Sequence, residues 1–154
     1  MNNRLLKLDL SRADEEKGIP ATLSTETPVQ RNGYSEVLVH TQNSVTIRDN
    51  RSSLPLLVGH DSSEPAIGKI TDIQVRDGKL KGMIKFGKSQ KARDIYQDIK
   101  NQIIEGISIG YNILTGERRG DTYFATNFEV YEASVVGVPA DSTSGYFRSQ
   151  TKEI

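Results

Sequence analysis

The segment Gly106-Ile107-Ser108-Ile109-Gly110 places one serine between two glycines, on the face opposite apolar residues that recur at every second position. A serine hydroxyl is a weak nucleophile unless a neighbouring base accepts its proton. Histidine is the usual base because it titrates near neutrality, and the chain has two histidines, His40 and His60. Ser108 is therefore the candidate nucleophile. The same spacing also fits a small residue at a place where helix and strand pack closely.

The Gly-x-Ser-x-Gly pattern at 106–110 also occurs in the nucleophile elbow of α/β-hydrolases, but the order of elements excludes that site. In the elbow a strand precedes the serine, a helix follows it, and the triad histidine comes later in the chain. Here a helical pattern precedes Ser108, a strand pattern contains it, and both histidines come earlier. The pattern alone therefore does not identify the fold.

Glu132 is the most informative acidic residue, because nearly all other residues of Val130–Val136 are apolar or small. An unpaired buried carboxylate is costly, so Glu132 must lie at an edge, be paired, or face a wet cleft. A carboxylate beside a histidine would orient the imidazole and stabilise its protonated form. An outward-facing strand residue, as Glu129 would be, is the equally open alternative. His60 has an open alternative as well, namely an exposed turn histidine beside Asp61 without a catalytic role.

The composition excludes several kinds of site and partner. The chain has 154 residues and no cysteine, which rules out disulfides, thiol catalysis and cysteine-bound metal. Two histidines without a His-Glu-x-x-His motif argue against a metal site, and we expect no cofactor. Lys plus Arg and Asp plus Glu number 20 each, so no partnership with nucleic acid or an anionic membrane is expected. No apolar run is long enough to span a bilayer, and Met1–Lys7 lacks the long apolar region of a signal peptide, so we expect a cytosolic setting.

One helix and many strands are predicted to position these residues. Apolar residues at helical spacing predict a helix over 89–105, with Ser89 as its cap and Gly106 as its stop. Strand patterns are predicted at Arg4–Leu10, Ala21–Val29, Tyr34–His40, Ile67–Val75, Lys79–Phe86, Ile107–Ile113 and Thr122–Val138. The polar stretches 41–53 and 115–121 are predicted as a loop and a turn. This pattern favours a mainly antiparallel β domain, and a closed or nearly closed barrel would bury its strands without open edges.

Three blocks of the sequence, taken together, resemble the prohead proteases of tailed bacteriophages. The run Leu54–Asp61, followed by Ile67–Ile70, resembles their histidine block, and Gly106–Tyr111 resembles their serine block. The stretch Tyr131–Ala140 resembles their closing block, in which Glu-x-Ser-x-Val is followed by Pro-Ala. The order of the blocks, the helix between them and their approximate spacing all agree. The resemblance covers 54–140 well and the first fifty residues loosely.

The resemblance implies a serine endopeptidase and a particular fold. That fold is the antiparallel β-barrel of the herpesvirus maturation proteases, here with one principal helix at about 89–105 and short flanking helices. The herpesvirus enzymes use a Ser-His-His triad, whereas no histidine follows Ser108 in this chain. The resemblance therefore assigns the catalytic roles to Ser108, His60 and Glu132.

The family also implies substrates, partners and a location. Such an enzyme is packaged into the immature capsid in the host-cell cytoplasm, where it cleaves the major capsid protein, the scaffold protein and usually itself. Self-association is expected by analogy with the herpesvirus proteases. Residues 1–146 would form a single protease domain, and 147–154 a polar tail. The backbone N–H groups of Ala140 and Asp141 are predicted as the oxyanion hole, since Pro139 has none.

Three alternatives stay open at this point. The chain could be a catalytically inactive, protease-like barrel that acts as a capsid assembly or scaffold module. His40 rather than Glu132 could complete the triad with His60 and Ser108. The polar ending at 148–154 also fits a domain excised from a longer protease–capsid polypeptide, or a self-trimmed product.

Overall fold

The computed structural model describes the backbone of residues 2–7 and the complete residues 18–137. This part of the chain contains ten strands and one α-helix, which confirms the predicted mainly β class. The elements are β1 (Asn2–Lys7), β2 (Ile19–Ser24), β3 (Val29–Arg31), β4 (Tyr34–Leu38), β5 (Val45–Ile47), β6 (Leu54–Val58), β7 (Gly68–Arg76), β8 (Lys79–Phe86), α1 (Gln90–Lys100), β9 (Gly106–Arg119) and β10 (Thr122–Val136). The predicted tail at 147–154 lies outside the described residues.

The long strand β10 is the centre of the sheet. One of its edges pairs with antiparallel β9 along almost its whole length. Its other edge pairs with three short parallel strands, β4, β5 and β6, in chain order. The remaining ladders are antiparallel. The sheet is therefore mixed, and the prediction of a mainly antiparallel sheet missed the parallel strands along β10.

The strand order along the sheet is β1-β9-β10-β6-β7-β8-β2, so β1 and β2 are its two ends. These two strands lie next to each other. No hydrogen-bonded ladder joins them within residues 2–7 and 18–137, so the predicted closed barrel is not confirmed. Apolar side chains from opposite parts of the sheet, such as Leu23, Ile70, Ile109 and Phe128, fill one buried core. No helix in the described part is long and apolar enough to cross a membrane.

The start and the buried face of α1 agree with the sequence pattern. The Oγ of Ser89 accepts the N–H of Ala92 at 3.1 Å and so caps the first turn, as predicted. Ala92, Tyr96 and Ile99 form the buried side of the helix. The ring of Tyr96 packs against that of Phe86 at 5.2 Å between centroids, which fixes the helix against the end of β8.

The helix ends earlier than the predicted boundary of 89–105. Gln102 adopts a left-handed backbone conformation with φ 64°, and the N–H of Ile103 returns to the carbonyl of Asp98 at 2.8 Å. This pattern closes the last turn and turns the chain away from the helix axis. Ile103 consequently becomes exposed. The predicted role of Gly106 as a helix stop is therefore wrong, and Gly106 instead begins β9.

Two polar stretches are more ordered than their composition predicts. In the predicted turn Thr115–Asp121, β9 continues to Arg119 and the chain reverses only at Gly120 and Asp121. The predicted loop at 41–53 contains β5 and a short 3-10 turn. That turn is the only helical element beside α1 within 18–137, so the predicted short flanking helices are not seen there. Both strands pair with β10, which satisfies their backbone N–H and C=O groups whatever the pattern of their side chains.

Candidate active site

Three neighbouring strands bring together the three residues that the sequence selects. Ser108 lies on β9, Glu132 lies on β10, and His60 follows the end of β6 by two residues. At this point β10 lies between β9 and β6. Ser108 is opposite Ser134, and Gly110 is opposite Glu132, in the β9–β10 ladder. Because directly opposite residues share a face of the sheet, the side chains of Ser108 and Glu132 lie on the same face.

A β-bulge places Glu132 on that face. Val130 pairs with Tyr111 but Glu132 pairs with Gly110, so Tyr131 is one extra residue on β10. Val130 and Tyr111 are fully buried in the core. Without the bulge, Glu132 would point to the core face like Val130, because side chains alternate with a period of two. The extra residue turns the carboxylate to the opposite face, as bulges near functional sites often do.

The turn after β6 holds His60 in an unusual backbone conformation. Gly59 and His60 both have positive φ, 59° and 61°, which is uncommon for a residue other than glycine. The N–H of Gly59 donates to the carbonyl of Val135 at 2.9 Å, and the N–H of His60 donates to the Oγ of Ser134 at 2.9 Å. These bonds hold the turn against β10 and keep a strained backbone in place.

The imidazole of His60 is hydrogen bonded to the carboxylate of Glu132, through Nδ1 and Oε2. Because a carboxylate oxygen accepts, Nδ1 carries the proton and the neutral ring has its lone pair at Nε2. The side chains of His60 and Glu132 are 15% and 4% exposed. The Oγ of Ser134 donates to Oε1 of Glu132 at 2.9 Å, so both carboxylate oxygens have a donor.

Ser108 is only 3% exposed, although the strand pattern placed it on the face opposite the apolar residues. All of Gly106–Tyr111 is buried in this part of β9. Neither the hydroxyl of Ser108 nor the Nε2 of His60 makes a hydrogen bond within residues 18–137. The site thus combines an oriented imidazole with a serine on the same sheet face, an arrangement suited to nucleophilic chemistry.

His40, the other candidate partner for His60, is directed elsewhere. Its ring is buried, with Nδ1 donating to the carbonyl of Leu38 at 2.7 Å. Its Nε2 is hydrogen bonded to the Oγ of Ser24 at 2.8 Å, and the ring packs edge-on against Phe128. Both ring nitrogens therefore have partners away from Glu132.

Asp61 also binds a neighbour rather than His60. Its exposed carboxylate accepts the hydroxyl of Ser63 at 2.6 Å and the N–H of Ser63 at 2.9 Å. The hydroxyl contact and then the N–H contact lower the pKa of Asp61 below its ordinary value. No group of three or more His, Cys, Asp or Glu side chains in the described part of the chain could hold a metal ion.

Two residues of the site, Ser134 and Gly110, were given no role by the sequence. The Glu-x-Ser spacing was an available signal for Ser134, because residues two apart on a strand share a face. Gly110 gave no such signal, since its contact with Glu132 depends on the register and the bulge. A Cβ built on Gly110 would lie 2.2 Å from Oε2 of Glu132 and 2.9 Å from Cε1 of Tyr131.

Tyr131, the extra residue of the bulge, reports on the charge of Glu132. Its pKa is raised because burial disfavours the phenolate and because the Glu132 carboxylate repels it, while Arg48 opposes the rise. We expect Glu132→Gln to lower the pKa of Tyr131, since the repulsion is removed and the burial stays. A ¹³C NMR titration of tyrosine-labelled protein measures it, with Tyr131→Phe to assign the signal. An unchanged value would show that no negative charge is held beside Tyr131.

A comparison with known families identifies the chain. The sequence profile described as caudovirus prohead serine protease matches residues 20–153. The chain belongs to this family. The match runs from β2 through β10 and therefore includes all three residues of the candidate site.

Two relatives of this prohead protease family member are phage proteins. The major capsid protein of Halomonas phage phiHAP-1 is 34% identical over 134 residues, which are 82% of this chain and 22% of that protein. The prohead protease of Escherichia phage T5 is 32% identical over 93 residues, 59% of this chain and 43% of that protein. The chain thus spans less than half the length of either relative. No solved structure gives a significant match.

Proposed function

We propose that this chain is a serine endopeptidase that cleaves capsid and scaffold proteins during prohead maturation. The observation that carries the proposal is the hydrogen bond between His60 and Glu132 on the sheet face of Ser108. Membership of the prohead protease family supplies the class of reaction. Ser108 is then the nucleophile, His60 the general base and acid, and Glu132 the carboxylate that orients His60.

In the first half-reaction, Nε2 of His60 accepts the hydroxyl proton of Ser108 while Oγ attacks the carbonyl carbon of the scissile peptide bond. The tetrahedral intermediate collapses when its C–N bond breaks, and His60 passes the proton to the leaving amine. The acyl group remains on Ser108 as an ester. In the second half-reaction His60 deprotonates a water molecule that attacks the ester carbonyl. The C–Oγ ester bond then breaks, which releases the carboxylic acid product, and His60 returns the proton to Oγ of Ser108.

Glu132 supports both half-reactions through the imidazole. Its Oε2 accepts the Nδ1 proton of His60 and so leaves the Nε2 lone pair for the reacting hydroxyl. An imidazolium ion forms in each half-reaction, and the nearly buried carboxylate stabilises it more strongly than an exposed one would. Because the carboxylate is already held by two donors, little reorganisation is needed when the charge forms.

The developing oxyanion needs preorganised N–H donors. Ala140 and Asp141 stay the predicted donors, and they lie outside the described residues. They follow β10, which carries Glu132, by a few residues in the chain.

Capsid protein is the substrate that the relatives favour. One relative is named a prohead protease, and a segment similar to this chain forms part of another that is named a major capsid protein. We therefore infer cleavage of capsid protein, together with scaffold protein and the protease itself, inside the assembling prohead in the host-cell cytoplasm. Self-association of the protease stays a prediction from the family resemblance.

A fluorophosphonate probe tests the proposed nucleophile without a natural substrate. We expect one label per chain, located at Ser108 by mass spectrometry of the peptides. Ser108→Ala removes the label, whereas Ser44→Ala, which deletes another buried serine hydroxyl, keeps it. Labelling at Ser134 instead would contradict the assignment. An unlabelled protein that still binds capsid protein would favour the inactive scaffold module.

A further inference from the structure

The carboxylate of Glu132 is enclosed by two residues that the reaction scheme does not use. Gly110 faces Glu132 across the β9–β10 ladder, and Ser134 follows it by two residues on β10. We propose that Gly110 and Ser134 are positioning residues, which hold the Glu132 carboxylate in contact with Nδ1 of His60. This inference rests on the proposed triad, and it gives a role to the second glycine of the Gly-x-Ser-x-Gly segment.

Gly110 provides the space that the carboxylate occupies. A Cβ at this position would lie 2.2 Å from Oε2 of Glu132 and 2.9 Å from its Cδ. Oε2 is the oxygen that is hydrogen bonded to His60, so any side chain at Gly110 displaces the atom that orients the imidazole. The backbone of Gly110 is not in the left-handed region. The requirement for glycine is therefore one of space and not of backbone conformation.

Ser134 connects the carboxylate to the backbone of the base. Its fully buried hydroxyl donates to Oε1 of Glu132 at 2.9 Å and accepts the N–H of His60 at 2.9 Å. One hydroxyl thus fixes the direction of the carboxylate and the position of the turn that carries the imidazole. A buried carboxylate oxygen that loses its donor bears a desolvation penalty, so the carboxylate of a Ser134→Ala variant turns away or admits water.

The control for the Gly110 variant is Gly116, where an added Cβ would also come too close to its neighbours. A Cβ at Gly116, which lies far along β9 from the site, would be 2.3 Å from Oη of Tyr123 and 2.7 Å from the backbone oxygen of Phe124, both on β10. Gly116→Ala is thus at least as demanding sterically as Gly110→Ala. We expect Gly110→Ala to slow fluorophosphonate labelling of Ser108 by about 100-fold or more, because the oriented carboxylate is lost. Gly116→Ala should label at the unaltered rate. If both variants slow labelling equally, the cause is a general distortion of β9, and the role of Gly110 is overturned.

The Ser134 arm tests the hydroxyl and not the size of the side chain. We expect Ser134→Ala to slow labelling by about 10- to 100-fold, the loss typical of a hydrogen bond to a charged group. Ser134→Thr, which keeps the hydroxyl, should recover most of the rate. Ser44→Ala is the matched control for a lost buried hydroxyl elsewhere. Equal rates in the Ala and Thr variants would overturn the role of the Ser134 hydroxyl.

A spectroscopic measurement separates this inference from the proposed function. In a Ser108→Ala background, which needs no activity, the Nδ1 proton of His60 should give a far-downfield ¹H NMR signal. That signal should shift or disappear with Gly110→Ala and Ser134→Ala, and persist with Gly116→Ala. If the Nδ1 proton signal is unchanged in all these variants, the positioning role fails, whether or not the protein that retains Ser108 is labelled by the fluorophosphonate. If the signal responds to Gly110→Ala and Ser134→Ala but the unaltered protein is never labelled by the fluorophosphonate, only the assignment of Ser108 as nucleophile fails.

The two residues should also act through Glu132 and not independently. In a Glu132→Gln background we expect neither Gly110→Ala nor Ser134→Ala to slow labelling further by more than a few fold, because coupled residues are not additive. Fully additive losses would show that the two residues act on something other than the carboxylate, and would overturn the inference.

Discussion

The Ser108→Ala variant is expected to lose cleavage of the cognate capsid protein, by about 10⁶-fold, as nucleophile removal does in other serine proteases. The loss follows from the chemistry, because alanine has no oxygen with which to form the acyl ester. The substitution removes one hydroxyl that makes no hydrogen bond within residues 18–137. Folding stability should therefore change little, and a loss of cleavage can be ascribed to catalysis.

Co-expression of the protease with the cognate capsid and scaffold proteins measures this effect. Processing is followed as the appearance of shortened capsid protein on denaturing gels, with intact mass to locate the cut. Ser44→Ala is the control, since it deletes a buried serine hydroxyl beside Thr41 and leaves the site intact. Unchanged processing by Ser108→Ala would end the proposal. If the unaltered protease and the Ser44→Ala control both bind capsid protein but do not process it, the result would favour an assembly module.

Glu132→Gln is expected to lower the rate of acylation by about 10⁴-fold, the loss seen when the triad acid of serine proteases is replaced by its amide. The amide has nearly the same shape but no charge. It can present N–H to the imidazole, which favours the wrong tautomer of His60 and no longer stabilises the imidazolium. The effect should fall on the rate constant of labelling and not on the folded fraction, which thermal unfolding monitors.

Two variants make this test specific. Glu129→Gln removes a carboxylate from the same strand, where it is paired with Arg48 at 3.3 Å, and should leave labelling within a few fold. His40→Ala tests the alternative third member of the triad. It removes a buried ring that is bonded to Leu38 and Ser24, so it should lower stability and leave the rate per folded molecule nearly unchanged. A larger loss for His40→Ala than for Glu132→Gln would exchange their roles.

Local sequence patterns correctly predicted the elements that depend on residues close together in the chain. The predicted strands Ile67–Val75 and Lys79–Phe86 correspond to β7 and β8, a hairpin that reverses at Asp77 and Gly78. The cap at Ser89 and the buried side of α1 also followed from local spacing. The end of the helix did not, because it depends on Gln102 adopting a left-handed conformation that its residue type does not favour.

The sequence by itself determined which residues could do chemistry. Ser108, His60 and Glu132 were selected by residue type, by their order in the chain and by the three blocks that contain them. The contact between His60 and Glu132, and the position of Ser108 on the same sheet face, could not be derived in the same way. Each lies on a different strand or turn, and the contacts depend on ladder register, which patterns of one strand do not encode.

The tertiary structure decided the direction of Glu132. Strand alternation alone assigns Glu132 to the same face as the buried Val130, away from Ser108. The extra residue Tyr131 reverses that assignment, and Gly110 leaves room for the carboxylate. A one-residue bulge leaves only one residue unpaired in the ladder but changes the face of every residue after it. Only the packed sheet selects it, because only there does the carboxylate meet His60.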